Sequence, residues 1–116
     1  MSYQILKMES AERWKVLFKD EEKWLIGLYI PEFESKNEID RLEKHDAHEF
    51  FHLLGGNIVL VLEEGKEIVE VPLSHSQAVI VNTWHNAYRP NGGLGMALVV
   101  ERGDVRTKFK KMPCKL

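Results

Sequence analysis

Five histidines and an excess of glutamate over aspartate are spread along 116 residues, but the chemistry concentrates in one run. That run is Glu43-Lys44-His45-Asp46-Ala47-His48-Glu49-Phe50-Phe51-His52-Leu53-Leu54-Gly55-Gly56, read together with His85 some way downstream. Alternate residues of a strand share a face, so Glu43 and His45 point the same way. A short turn at Asp46 to His48 would let Glu49 begin the neighbouring strand with its carboxylate on that same face, and a distant strand would add His85. Two carboxylates and two imidazoles form a sensible ligand set for a divalent first-row ion: imidazole suits Zn, Fe, Ni and Cu, and carboxylate favours harder ions such as Mn and Fe(II). Two carboxylates neutralise a dication, and burial of their charges is tolerable only where metal or hydrogen bonds compensate it. Imidazole rings more than about 8 Å apart could not share an ion whose ligands each sit about 2 Å from it.

The other histidines read differently. His48 belongs in the turn, and only a slipped register would exchange it with His45. His52 alternates away from Glu49, Phe51 and Leu53 and should face the surface or an interface, and His75 lies in a bend. Trp24, Tyr29, Phe51, Trp84 and Tyr88 could line a small pocket or serve as core.

The elements that must position these side chains are short strands. Lys15-Val16-Leu17-Phe18 and Trp24 to Ile30 flank the charged turn Lys19 to Lys23, which predicts a hairpin, after a single helical turn around Ser10 to Trp14. Glu49 to Leu54, Asn57 to Leu62, Glu67 to Val71, Gln77 to Val81, Trp84 to Tyr88, Leu94 to Glu101 and Val105 to Phe109 follow, separated by Gly, Pro and Asn signals. Pro31 to Asn37 reads as a connecting loop. Eight to ten evenly spaced strands with almost no helical period predict an all-β sandwich or barrel of one domain, 1–116, with its core at about 15–110. Ile58 to Leu62 and Met96 to Val100 are apolar on both faces, so the outer set needs a cover, from sheet packing or from a homodimer interface.

Hydrophobic residues at 44%, charged residues at 29% and a formal net charge of -2 describe a globular chain without the basic stripe that phosphate backbones require. Nucleic acid is therefore not an expected partner, and no apolar run is long enough to predict a membrane span. Cys114 is the lone cysteine, which rules out an intramolecular disulfide and suits a reducing cytoplasm.

His45, Glu49 and Gly56 resemble the first cupin motif, in which a His is followed by a Glu and then a Gly seven positions on. His85, in Val81-Asn82-Thr83-Trp84-His85, resembles the His of the second motif. The resemblance spans Arg41 to Tyr88. The family's first metal His falls at Glu43, and Val81-Asn82-Thr83 replaces the motif's Pro and Gly. The resemblance implies a double-stranded β-helix, or jelly-roll barrel, with a divalent metal (Mn, Fe, Zn or Ni) held by Glu43, His45, Glu49 and His85. It also implies a small-molecule substrate or ligand, with sugar isomerisation, dioxygen-dependent cleavage and decarboxylation among the family's chemistries. The departures from the motifs favour a second reading, a metal-free module that binds a sugar or similar metabolite, or an isomerase with His85 as base.

Overall fold

A computed structural model describes residues 2–113, and Cys114 lies outside the described residues. Ten strands form: β1 (Trp14–Asp20), β2 (Trp24–Tyr29), β3 (Arg41–His45), β4 (Glu49–Gly56), β5 (Val59–Glu64), β6 (Glu67–Pro72), β7 (Val79–Val81), β8 (His85–Tyr88), β9 (Gly95–Glu101) and β10 (Thr107–Lys111). Their β-branched and aromatic residues suit a pleated, half-buried surface. They build two antiparallel five-stranded sheets, β1-β2-β9-β4-β7 and β10-β3-β8-β5-β6. The hairpins β1–β2 and β5–β6 stay within a sheet, and every other connection carries the chain across to the opposite one. That alternation is the jelly-roll topology.

The turns follow local chemistry. The β5–β6 hairpin closes on Gly65-Lys66 between the paired Glu64 and Glu67, with Gly65 at φ 61. Gly56 holds φ 68 where β4 ends against β9, and a Cβ there would meet the Leu94 carbonyl. The helical turn expected at Ser10 to Trp14 does not form. Ser10 Oγ accepts from the Glu12 N–H at 3.0 Å, its hydroxyl donates to the Glu12 carbonyl at 2.9 Å, and β1 begins at Trp14. Such side-chain bonds to nearby backbone compete with helix.

The main core lies between the sheets and includes Phe51, Leu53, Ile58, Leu60, Val81, Ala97 and Val99. A second, smaller core forms on the outer face of the β10-containing sheet, where Leu42 and Val61 point away from the sandwich and pack with Ile39, Phe33, Trp84, Tyr88 and Met112. The stretch after β2, with a 3-10 turn at Lys36–Glu38, lies along this face and is tied down by a bridge between Phe33 and Tyr88. Fully burying a side chain such as Leu42 contributes about 2 kcal/mol, which favours keeping this cover in place. The outer set of Ile58 to Leu62 is thus covered by the chain's own loop, where the sequence suggested sheet packing or a partner. Among the described residues, no helix is long and apolar enough to cross a membrane.

Candidate metal centre

On β3 the buried Leu42 faces outward, and the two-residue period therefore turns Glu43 inward. His45 shares that phase. The turn that follows is pinned through Asp46, whose N–H donates to the Arg106 carbonyl at 3.2 Å and whose Oδ1 accepts from the Arg106 N–H at 2.9 Å and meets Arg102 at 3.1 Å. The backbone bond from Arg106, helped by Arg102, holds the Asp46 carboxyl below the usual carboxylate range. Exposed His48 sits in this turn, as the spacing predicted.

The register differs from the sequence expectation in one respect. β4 is not the neighbour of β3: it lies in the opposite sheet, so the carboxylate of Glu49 reaches His45 across the interior. The partners of β3 are β10 and β8, and the latter pairing sets His85 directly opposite Glu43. Crossing between sheets serves the same convergence, because the first residue of β4 shares its inward phase with Phe51 and Leu53.

Glu43, His45, Glu49 and His85 meet at one point. Glu49 Oε1 lies 3.0 Å from His45 Nε2 and 3.0 Å from His85 Nε2, and Glu43 Oε1 lies 3.8 Å and 3.7 Å from the same two atoms. The ring centroids are 5.6 Å apart. Donors bound about 2 Å from one ion stand roughly 3 to 4 Å from each other, which is the spacing found here. Both rings are oriented from behind. Nδ1 of His85 donates to the Thr83 carbonyl at 2.8 Å, and Nδ1 of His45 contacts Thr107 Oγ1 at 2.8 Å. Each Nε2 is thereby turned toward the cluster, and the Thr83 carbonyl, which can only accept, also fixes the tautomer of His85. Thr83 stands where the second cupin motif has other residues, and its hydroxyl in turn donates to the Glu63 carbonyl at 2.7 Å.

Among the described residues, His85 and Glu49 are the buried charged or polar ones. Nε2 of His85 has no hydrogen bond of acceptable geometry, although Glu49 is close by, because the carboxylate oxygen lies off the direction in which the ring nitrogen would donate. Burial lowers the pKa of His85, but Glu49, the Thr83 carbonyl and Glu43 together raise it above the ordinary value. A buried ring nitrogen without a hydrogen bond, grouped with two carboxylates and a second imidazole, is a fitting place for a cation.

Glu101 was not anticipated. It ends β9 in phase with Ala97 and Val99, and its carboxylate lies with a ring nitrogen of His45 and the carboxylate of Glu49 at ligand spacing, within 4.8 Å. Burial, then Glu49 and Glu43, push its pKa up to about 8. The signal in the sequence was that same two-residue phase, which points the residue after Val99 and Val100 inward.

The cluster forms one wall of a cavity of about 360 Å³. Of the aromatic residues singled out by sequence, Tyr29 and Phe51 line it, and Trp14, Phe33 and Phe109 join them. Trp24 packs on Phe18, Trp84 lies under Lys110 on the outer face, and Tyr88 donates to Glu70 at 2.5 Å. Trp14 lies directly over Gly27, where a Cβ would strike its indole. The phenol of Tyr29 is held well above its usual range by burial and by Glu43 and Glu49, with Arg13 opposing them.

No family model and no curated protein matches the sequence. Solved structures do. A cupin-2 domain protein from Shewanella frigidimarina superposes with a TM-score of 0.55 at 11% identity, over 82% of this chain and 84% of its own. The chain has the cupin fold. The hydroxypropylphosphonic acid epoxidase of S. wedmorenis, in complex with fosfomycin, superposes on the same fold with a TM-score of 0.62 at 14% identity, over 77% of this chain and 49% of the epoxidase. CapF, the capsular polysaccharide assembling protein of Staphylococcus aureus, does so at 0.61 and 16%, over 96% of this chain and 33% of CapF. The chain therefore spans about half the length of the epoxidase. Structures of the epoxidase HppE contain Fe(II) or Co(II). Within this cupin fold the candidate cluster draws on both sheets, β3 and β8 from one and β4 and β9 from the other.

Proposed function

We propose that this chain is a cation-dependent cupin domain that binds or transforms a small metabolite in the cavity between its sheets. Glu43, His45, Glu49 and His85 would hold the divalent ion, which is Mn, Fe, Zn or Ni by donor type. The observation that carries this reading is the buried, unsatisfied Nε2 of His85 facing Glu49, with His45 on the other side of the same carboxylate oxygen. The Fe(II) and Co(II) present in HppE structures support it by analogy of fold.

A bound dication would supply a Lewis acid that holds and polarises a ligand oxygen. The chain's own groups do the rest. Thr83 and Thr107 keep each Nε2 directed at the cluster. Tyr29, Phe51 and Leu60 form the apolar side of the cavity. Glu101, whose carboxylate lies within 4.8 Å of the ligand atoms of His45 and Glu49, is the group we assign to hold a proton beside the bound oxygen.

Elemental analysis of protein purified without added metal, followed by titration of the stripped form with Mn, Fe(II), Zn and Ni, tests the reading. It expects saturable binding of about one ion per chain, with the release of protons that accompanies binding to imidazole and carboxyl groups. Absence of saturable binding would hand the site to a metal-free binding module or to an isomerase with His85 as its base.

The partner we propose for the outer face of the β1-containing sheet is a second copy of the chain. Phe50, Leu98 and Val100 are incompletely buried there, Ile80 is 60% exposed, and the N-terminal stretch presents Tyr3 and Ile5 to solvent. A monomer in sedimentation at high concentration would remove the dimer. One cysteine in 116 residues supports a place in the cytoplasm.

A further inference from the structure

The cavity carries a cation that the proposed metal site does not use. Arg13 immediately precedes β1 and lines the cavity beside Trp14 and Tyr29. Its guanidinium donates to the Pro31 carbonyl at 3.1 Å, and among the described residues it forms no ion pair. Arg41, the other arginine of the wall, is already engaged by Glu32 at 2.8 Å and Asp40 at 3.1 Å, and it lies over the Phe33 ring at 5.5 Å. Two positive side chains thus border the same space, one neutralised and one not.

An uncompensated guanidinium at the edge of a mostly apolar cavity is suited to an anionic oxygen group, which it can meet with paired N–H donors. The carboxylate cluster elsewhere in the wall would repel an anion unless a dication offset it. A ligand acceptable to both regions has metal-binding oxygens at one end and a negative charge at the other, with little polar surface between them to face Tyr29, Trp14 and Phe109.

We propose that the cavity takes a small dianionic acid, gripped at one end through the cation of the Glu43, His45, Glu49 and His85 site and at the other by Arg13. This rests on the metal reading, and it adds the charge class of the ligand and the residue that selects it. Arg13 is a specificity residue in this scheme.

The test is calorimetric titration of Mn-loaded protein, its occupancy first measured by elemental analysis, with four 2-hydroxy acids that share a chelating end. 2-Hydroxybutyrate carries no distal charge, malate and 2-hydroxyglutarate carry a distal carboxylate, and 3-phosphoglycerate carries a phosphate. At least one of the three probes with an anionic distal group, two of them dianions and 3-phosphoglycerate close to a trianion at neutral pH, should bind about tenfold or more tightly than 2-hydroxybutyrate, the scale of one charge-assisted contact. In Arg13→Gln that gap should close while Mn affinity stays unchanged. Whether carboxylate or phosphate binds best identifies the distal group.

Equal binding of all four acids, no binding of any, or a gap that survives in Arg13→Gln would overturn the anion site while leaving the cation site in place. Failure of Mn to bind the wild-type chain would overturn the reading beneath it. Should Arg13→Gln loosen the fold, the wild-type protein answers the same question through ionic strength: added sodium chloride should shrink the gap. A gap insensitive to salt overturns the proposal.

Discussion

Glu49 Oε1 stands 3.0 Å from His85 Nε2 although the two residues belong to strands of opposite sheets. The same oxygen is equally close to His45. Glu49→Gln keeps the shape and removes the charge. It should weaken Mn or Fe(II) affinity by at least about 100-fold, since loss of even an outer partner costs roughly 10- to 100-fold. Titration of the stripped variant reads this directly, and affinity within a few-fold of wild type would exclude Glu49 as a ligand.

Thr107 orients His45 from behind without touching the cluster. Thr107→Val should leave the melting temperature of the metal-free protein near wild type and lower metal affinity roughly 10- to 100-fold. Thr107→Ser, which retains the hydroxyl, should restore most of it.

Acidity gives a third test. Folding raises the pKa of Glu101 from 4.5 to about 8 and raises that of His85 above 6.5. For both groups the native state binds protons more tightly than the unfolded chain. Their contribution is complete below the unfolded pKa values and disappears as pH climbs through the folded ones. The metal-free protein should therefore lose stability between about pH 4.5 and 8. Urea unfolding across that range measures the slope, which should flatten in Glu101→Gln.

Trp14 rests on Gly27, and any Cβ there strikes the indole. Gly27→Ala should expel the ring from the cavity edge at a cost of about 1 to 2 kcal/mol. The outcome should be visible as a red-shifted tryptophan emission.

The fold was legible in the sequence because period-two alternation and turn residues are local signals. Strands from Trp24 to Tyr29 and from Glu49 to Gly56 stand where their apolar runs place them. The convergence of His45, Glu49 and His85 was also legible, through motif spacing. What could not be read was which sheet each strand joins. Glu49 looks adjacent to His45 along the chain, yet it arrives from across the sandwich, because pairing partners depend on long-range packing. Arg13 and Phe109 escaped for the same reason: each lies near an end of the described strands, and only the closing of the two sheets sets them around one space. Ser10 shows the opposite failure, a local side-chain bond that overrode a weak helical tendency.

Glu43, His45 and His85 stand on one layer and Glu49 on the other, and the two layers share no ladder of backbone hydrogen bonds. An ion seated among them would rivet the layers together, so prying them apart and releasing the ion become a single event. Chelation should then shorten the protein's survival under protease as well as empty its centre, and the cell's supply of the ion would set how long each molecule lasts.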